Sequence, residues 1–415
     1  MKLDSWKTFA QHHRAGKIAL LGCAYMFVSA TPSNADFYSI GGFGLSATTE
    51  VNTQYNDNIY STTNNEVEDV ITNLNAVLTA TYRDNNDQIY VTLDGDAYLY
   101  SDNNDENNEE YRFRADWRHI FSDSFYIRPV FEHRRLVSTR GNPYENPDLA
   151  ATDSTVSLNN TLGLDGRYEY KRYSLDFGGQ GFQTSVEDAK RGNGTTISHS
   201  DRDRTDITGY VQPGYLFMPN TTAYVRGDFL ARDYDKNAIA QERDTNGYIV
   251  SAGVRYYVPN RLTVDLSAGR LDYAYKSKTL SDTNIGYYKA EVRWWIGDKL
   301  ETSLTSNRTL SPTISNVTSA IITDATTLNV TYQLLDDLQL KAQASYSGRD
   351  YKDSRSAADG SDRWDDFYTA GVGVEYDLNE TVALGADYKH RARESNARNL
   401  DYTGNITSVF LRASF

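Results

Sequence analysis

Cysteine occurs once in this 415-residue chain, at Cys23, methionine three times and proline eight times. Cys23 lies within the first 35 residues. Residues 36 to 415 therefore offer no disulfide, no thiolate metal site and no thiol nucleophile. Long hydrophobic runs are missing as well. After the N-terminus no stretch of about eighteen apolar residues occurs, which excludes a membrane-spanning helix but not a membrane-spanning strand. Positive charge is in deficit: 42 Lys and Arg stand against 56 Asp and Glu, a net −14, which argues against a nucleic-acid partner. Histidine is scarce at six, and His12 and His13 fall in the first 35 residues. Of the rest, His119, His133 and His390 stand apart, and His199 lies near Ser198 and Asp201 in a polar loop, which is adjacency and not triad geometry. No catalytic residue, metal site or cofactor is expected.

Tyrosine is abundant: 32 Tyr against 15 Phe and 5 Trp, in a chain whose mean hydropathy is −0.62. A ring with a wet tip suits strands and membrane–water boundaries. In a membrane barrel only alternate residues face lipid, so low mean hydropathy is compatible with a membrane home.

The first 35 residues read as a secretory leader. Lys2, Lys7, Arg14 and Lys17 precede the apolar run Ile18 to Ala30, and "SNA" then precedes "DF". Cleavage is expected after Ala35, with Ala30 as the alternative site. This gives two segments, 1–35 as leader and 36–415 as the mature domain.

From residue 41 the period is two. Leu74, Ala76, Leu78, Ala80 and Tyr82 share one face, and Ile89, Val91, Leu93, Gly95, Ala97 and Leu99 share another. Tyr288, Ala290, Val292, Trp294 and Ile296 repeat the pattern, as do Val382, Leu384, Ala386 and Tyr388. Such alternation predicts strands with one apolar and one polar face. Eight short turns, among them "DNND" (84–87), "KR" (171–172), "PN" (259–260) and "NE" (379–380), alternate with nine long polar loops such as 102–108, 139–153 and 188–202. Seventeen connections predict eighteen strands, with both ends of the barrel chain on the short-turn side. Short turns on one side and long loops on the other is the outer-membrane layout. A propeller would show a blade repeat, and a large sandwich would show linkers; neither is visible. The predicted class is all-β, a single transmembrane antiparallel barrel.

The chain stops on "NITSVFLRASF", in which Val409, Leu411, Ala413 and Phe415 alternate with mostly polar residues. A closed barrel leaves no free edge, so this strand is expected to pair with the first, near Gly41 to Tyr55. A terminal strand of this kind resembles the signal read by the outer-membrane barrel-assembly machinery.

The alternation also assigns the inner face. The fourth strand turns Arg112, Arg114, Asp116 and Arg118 inward, the fifth Arg128, Glu132 and Arg134, and the sixth Asp165, Arg167 and Glu169. The ninth contributes Tyr224, Arg226, Asp228 and Arg232, and the twelfth Lys289, Glu291 and Arg293. Lys341, Asp387, Lys389, Arg412 and the tyrosines 90, 98, 210 and 257 also point in. Charges on so many strands cannot form a dry core, since each unpaired buried ion costs several kcal/mol. A barrel of about eighteen strands is wide enough for water. Arg112, Arg114, Arg118, Arg128, Arg134, Tyr224, Arg226, Arg232, Lys289 and Arg293 are the predicted channel lining.

The first strand ends in Tyr55-x-Asp57-Asn58-Ile59, followed by an acidic loop and "LTATYR" (78–83). This pattern resembles the "putative β-barrel porin" family often encoded within exopolysaccharide gene clusters. The resemblance implies an eighteen-stranded outer-membrane channel that helps export an exopolysaccharide, with outer-membrane lipid, periplasmic export partners and the polymer as its surroundings. Two alternatives stand beside it: a general diffusion porin for small polar solutes, and a non-conducting surface barrel whose loops bind partners.

Overall fold

The computed structural model describes residues 38–138, 154–190, 194–235, 243–312, 318–354 and 360–415. The expected leader, 1–35, and loop 139–153 lie outside the described residues.

Eighteen long strands form one sheet that closes on itself. They are β1 (Phe43–Asn56), β2 (Asp69–Arg83), β3 (Asp87–Tyr100), β4 (Asn108–Ser122), β5 (Phe125–Ser138) and β6 (Thr155–Tyr170). Next come β7 (Tyr173–Val186), β8 (Arg204–Met218), β9 (Thr221–Tyr234), β10 (Thr245–Val258), β11 (Leu262–Tyr275) and β12 (Thr283–Ile296). The last six are β13 (Leu300–Pro312), β14 (Ala320–Leu335), β15 (Leu338–Tyr351), β16 (Trp364–Asp377), β17 (Val382–Ser395) and β18 (Tyr402–Ser414). Each pairs antiparallel with its sequence neighbours, and a short segment, Tyr38–Ile40, folds back on β1.

The strands form because their side chains alternate, and the turns form because their residues accept turn geometry. Lys171, Asn220, Asn260 and Gly297 hold positive φ in the short connections, as tight hairpins require. In the turn after β2, Asp84 accepts the backbone N–H of Asn86 at 2.8 Å and of Asp87 at 2.7 Å. These bonds hold its carboxyl below the usual aspartate range.

Closure is made by β1 and β18. Their register runs from Thr48↔Ser414 to Asn56↔Ile406. Phe415 completes it, its N–H donating to Ala47 O at 2.8 Å and its carbonyl accepting Ala47 N–H at 3.0 Å. The expected pairing of last strand with first is therefore what the fold contains. Val409 and Leu411 face outward, while Phe410 turns inward and its ring fills the space that a side chain on Gly385 would need.

Two prolines inside strands locate breaks in the ladder, because proline has no N–H to donate. Pairing of β4 with β5 skips from Asp116↔Val130 to His119↔Ile127 beside Pro129. Pairing of β8 with β9 skips from Val211↔Gly227 to Gly214↔Tyr224 beside Pro213. Each proline keeps its place on the other side, at Pro129↔Leu164 and Pro213↔Leu175.

The outward face is apolar along its middle and aromatic near its ends. Phe121 stacks on Phe125 with ring centroids 5.0 Å apart, and Tyr173 meets Tyr215 at 5.2 Å, both at the short-turn end. Toward the long-loop end Tyr346 meets Tyr368 at 5.4 Å, and Phe229 and Tyr248 are exposed. Two aromatic girdles flanking an apolar band are the mark of a membrane barrel.

Candidate functional site

The inner wall is an ion-pair lattice. On one side Arg112 meets Asp94 at 2.9 Å, Arg114 meets Asp116 at 2.8 Å and Glu132 at 3.3 Å, and Arg128 meets Asp165 at 3.0 Å. Arg167 bridges Glu169 at 2.7 Å and Asp176 at 3.2 Å. Further round, Arg226 pairs with Asp228 at 2.7 Å, Arg232 with Asp206 at 2.5 Å and Arg255 with Asp265 at 2.8 Å. Across the closing seam, Glu375 binds Lys341 at 2.7 Å and also Arg412, which reaches Glu50 at 3.8 Å. Period-two strands place these groups in inward rows, and antiparallel register sets opposite charges side by side.

Two arginines sit over tyrosine rings: Arg118 over Tyr126 and Arg226 over Tyr210, each with Cζ 3.9 Å from the ring centroid. Such stacking leaves the guanidinium edge able to hydrogen-bond, and Arg226 uses its edge on Asp228 and on Gln212 Oε1 at 3.3 Å. The Nε atoms of Arg118 and Arg134 are buried without a partner.

A cavity of about 660 Å³ lies against the wall from β4 to β11. Arg114, Arg128, Arg134 and Arg226 line it, with Tyr210 and Tyr273. Four predicted lining residues thus meet in one place. Arg112, Lys289 and Arg293 lie on inward rows elsewhere, with Lys289 on Glu291 at 3.0 Å and Arg293 on Glu301 at 3.6 Å. Arg118 also lies outside the cavity. Tyr224 and Arg232 point inward but are covered: Tyr224 is 7% exposed with its hydroxyl donating to Asp265 at 2.5 Å, and the Arg232 side chain is 14% exposed.

The sequence reading passed over Asp365. This carboxylate is fully buried between Arg363 at 2.5 Å and Arg393 at 2.8 Å, with Ser395 Oγ donating at 2.6 Å. The signal was present: Asp365 shares the inward row of β16 with Glu375. In the loop after β11, the Lys276 ammonium donates to Asp244 at 2.8 Å and Asp233 at 3.1 Å. Those two bonds raise its pKa above the ordinary lysine value. Among the described residues no His, Cys, Asp and Glu group is arranged to hold a metal ion.

The motif at the end of β1 has a structural task. Asn58, 1% exposed, donates through Nδ2 to the carbonyls of Thr62 at 2.8 Å and Thr403 at 3.0 Å. Asp57 accepts the N–H and the Nδ2–H of Asn405, both at 2.7 Å. Tyr55 donates its hydroxyl to Glu68. Asn58 and Asp57 fasten the end of β1 to β18 at the long-loop end, and Tyr55 ties β1 to the loop that leads into β2.

A closed barrel with a charged, paired inner wall and a lipid-facing outer band is a porin's construction, and the family model described as "Putative beta-barrel porin 2" matches residues 32–415. The chain belongs to this family. No curated protein matches it. Among solved structures, this porin-family member is similar to the outer membrane protein opdK of Pseudomonas aeruginosa, with 9% identity, 89% of this chain and 99% of that chain covered, and a TM-score of 0.46. OpdO of the same organism is similar at 11% identity, covering 91% and 98%, with a TM-score of 0.46. The ferric enterobactin receptor PfeA of Pseudomonas aeruginosa is similar at 11% identity, covering 89% and 80%, again at 0.46. These are distant likenesses. The family and the fold place this porin in the outer membrane.

The cavity charges should set ion preference. Replacing Arg128 and Arg226 together with Gln leaves Asp165 and Asp228 without cations, so selectivity should shift toward cations. The reversal potential across a bilayer in a KCl gradient reads this directly, and an unchanged potential would remove these residues from the ion path.

Proposed function

We propose that this outer-membrane channel carries an exopolysaccharide out of the cell, received from periplasmic export partners. The observation that carries the reading is the cavity lined by Arg114, Arg128, Arg134 and Arg226 together with Tyr210 and Tyr273. Guanidinium groups donate to hydroxyl and carboxylate oxygens, and tyrosine rings offer flat faces to sugar rings. The named lining residues orient the chain and react with nothing, so the reading is not enzymatic. The protein reaches the membrane by the general secretory route, and Val409, Leu411, Ala413 and Phe415 present the address to the assembly machinery.

A second reading, a diffusion porin for small polar solutes, is favoured by the size of the cavity. About 660 Å³ is room for a short saccharide. A strain lacking only this gene separates the two. Export predicts less polysaccharide outside the cell and polymer trapped within the envelope. Unchanged secretion with slower uptake of small sugars would overturn the export reading in favour of the porin.

A further inference from the structure

The wall is not evenly built. The ladder between β12 and β13 runs from Ile296↔Leu300 only as far as Lys289↔Asn307. Above that level β12 continues to Thr283 against β11, and β13 continues to Pro312 against β14. The two strands have parted.

The side chains show where β13 and β14 go. Leu304 and Leu328 lie on the even-numbered rows of these strands and are exposed on the lipid side. Leu310, Ala320 and Ile322 continue the same rows, yet they are 6%, 0% and 6% exposed. They pack with Leu271, and Ile249, Tyr273, Ile285 and Tyr287 surround the cluster. Those five residues stand on the rows of β10, β11 and β12 that also carry the inward groups Ser251, Asp265 and Lys289. The lipid-side row of one hairpin can touch the lumen-side rows of its neighbours only where the hairpin has passed inside them. A hydrogen bond agrees: the Tyr275 hydroxyl, on the inward row of β11, donates to Ser319 O at 2.6 Å. At the point of parting, Arg308 binds Asp324 at 2.7 Å and the Tyr288 hydroxyl donates to Asp324 at 2.9 Å. This polar knot lies at the base of the inward bend.

We infer that residues 308–312 of β13 and 320–324 of β14 form the constriction of the channel, and that their docking on the inner wall of β10–β12 sets the largest solute that passes. It narrows the lumen at the long-loop end. An apolar cluster inside a water-lined barrel has a clear physical role here, since burial of leucine and isoleucine holds the hairpin down where no ladder does. The inference rests on the channel reading and not on the identity of the cargo.

The test is single-channel conductance of the purified full chain in planar bilayers, with neutral polyethylene glycols of graded size as molecular gauges. Leu310→Ser with Ile322→Ser should undock the hairpin, raising the conductance and admitting larger glycols. Tyr275→Phe, a milder change that removes one hydrogen bond, should move both in the same direction by less. A mobility shift on boiling confirms that each variant is a folded barrel. Conductance without any change in step size or glycol cut-off overturns this inference alone. Silence in parent and variants alike overturns the channel reading with it. A second measurement does not depend on destabilising the cluster. In Ile322→Cys a membrane-impermeant maleimide should react far more slowly than in Ser311→Cys, whose parent residue is exposed. Equal rates would show that the hairpin is not docked.

Discussion

Replacing Asp365 with Ala lowers the stability of the barrel by about 3–5 kcal/mol, the cost of stranding buried charge. Asp365 has no exposure, and the side chain of Arg393 is 4% exposed. Removing the carboxylate leaves Arg393 buried against the Phe367 ring, 5.3 Å from its centroid, with its counter-ion gone. Arg363 loses its partner too, but at 21% side-chain exposure it can turn to water. Arg393→Met should cost less than Asp365→Ala, because Asp365 would keep Arg363 and Ser395. Denaturant unfolding of the protein in lipid vesicles, followed by tryptophan emission, measures the order. Equal midpoints for Asp365→Ala and parent would sink the claim that this triad braces β16 against β17.

Replacing Asn58 with Ala loosens the closing seam and costs about 2–4 kcal/mol, because a buried polar group left without its partner costs about 1–3 kcal/mol. Asn58 gives two N–H bonds to Thr62 O and Thr403 O and accepts Thr62 N–H at 2.9 Å. Alanine strands those backbone groups at the junction of β1, its loop and β18. Adding Asp57→Ala removes both bonds to Asn405 and should unzip the top of the seam. Amide exchange then accelerates at 403–406 while the amides of β8 to β11 keep their protection. Exchange at the seam as slow as in the parent would show that the motif does nothing for closure.

The architecture was legible in the sequence because barrel strands carry their orientation in their period. Leu93 and Leu99 mark a lipid face, and Arg112 and Arg114 mark an inner one, without any knowledge of neighbours. The turn at Lys171 and Arg172 follows in the same way from local composition. What was not legible depends on partners far along the chain. Tyr224 and Arg232 read as lining, yet Asp265 and Asp206, 41 and 26 residues away, cover them. The end of β1 reads as a strand running into a loop, but Asp57 answers to Asn405, 348 residues on. The hairpin is the hardest case. Leu310 and Ile322 keep the same alternation whether the strand faces lipid or has bent into the lumen, so period alone cannot separate the two. Pro312 was the available hint, since a proline suits a strand whose outer edge has lost its ladder.

The measurement that bears most directly on the central claim, a water-lined passage through the outer membrane, is the current across a planar bilayer holding the folded full chain. The account predicts discrete, reproducible conductance steps that fall when polar glycols enter the lumen. A barrel that retains its boiling-dependent mobility and yet leaves the bilayer silent would contradict it.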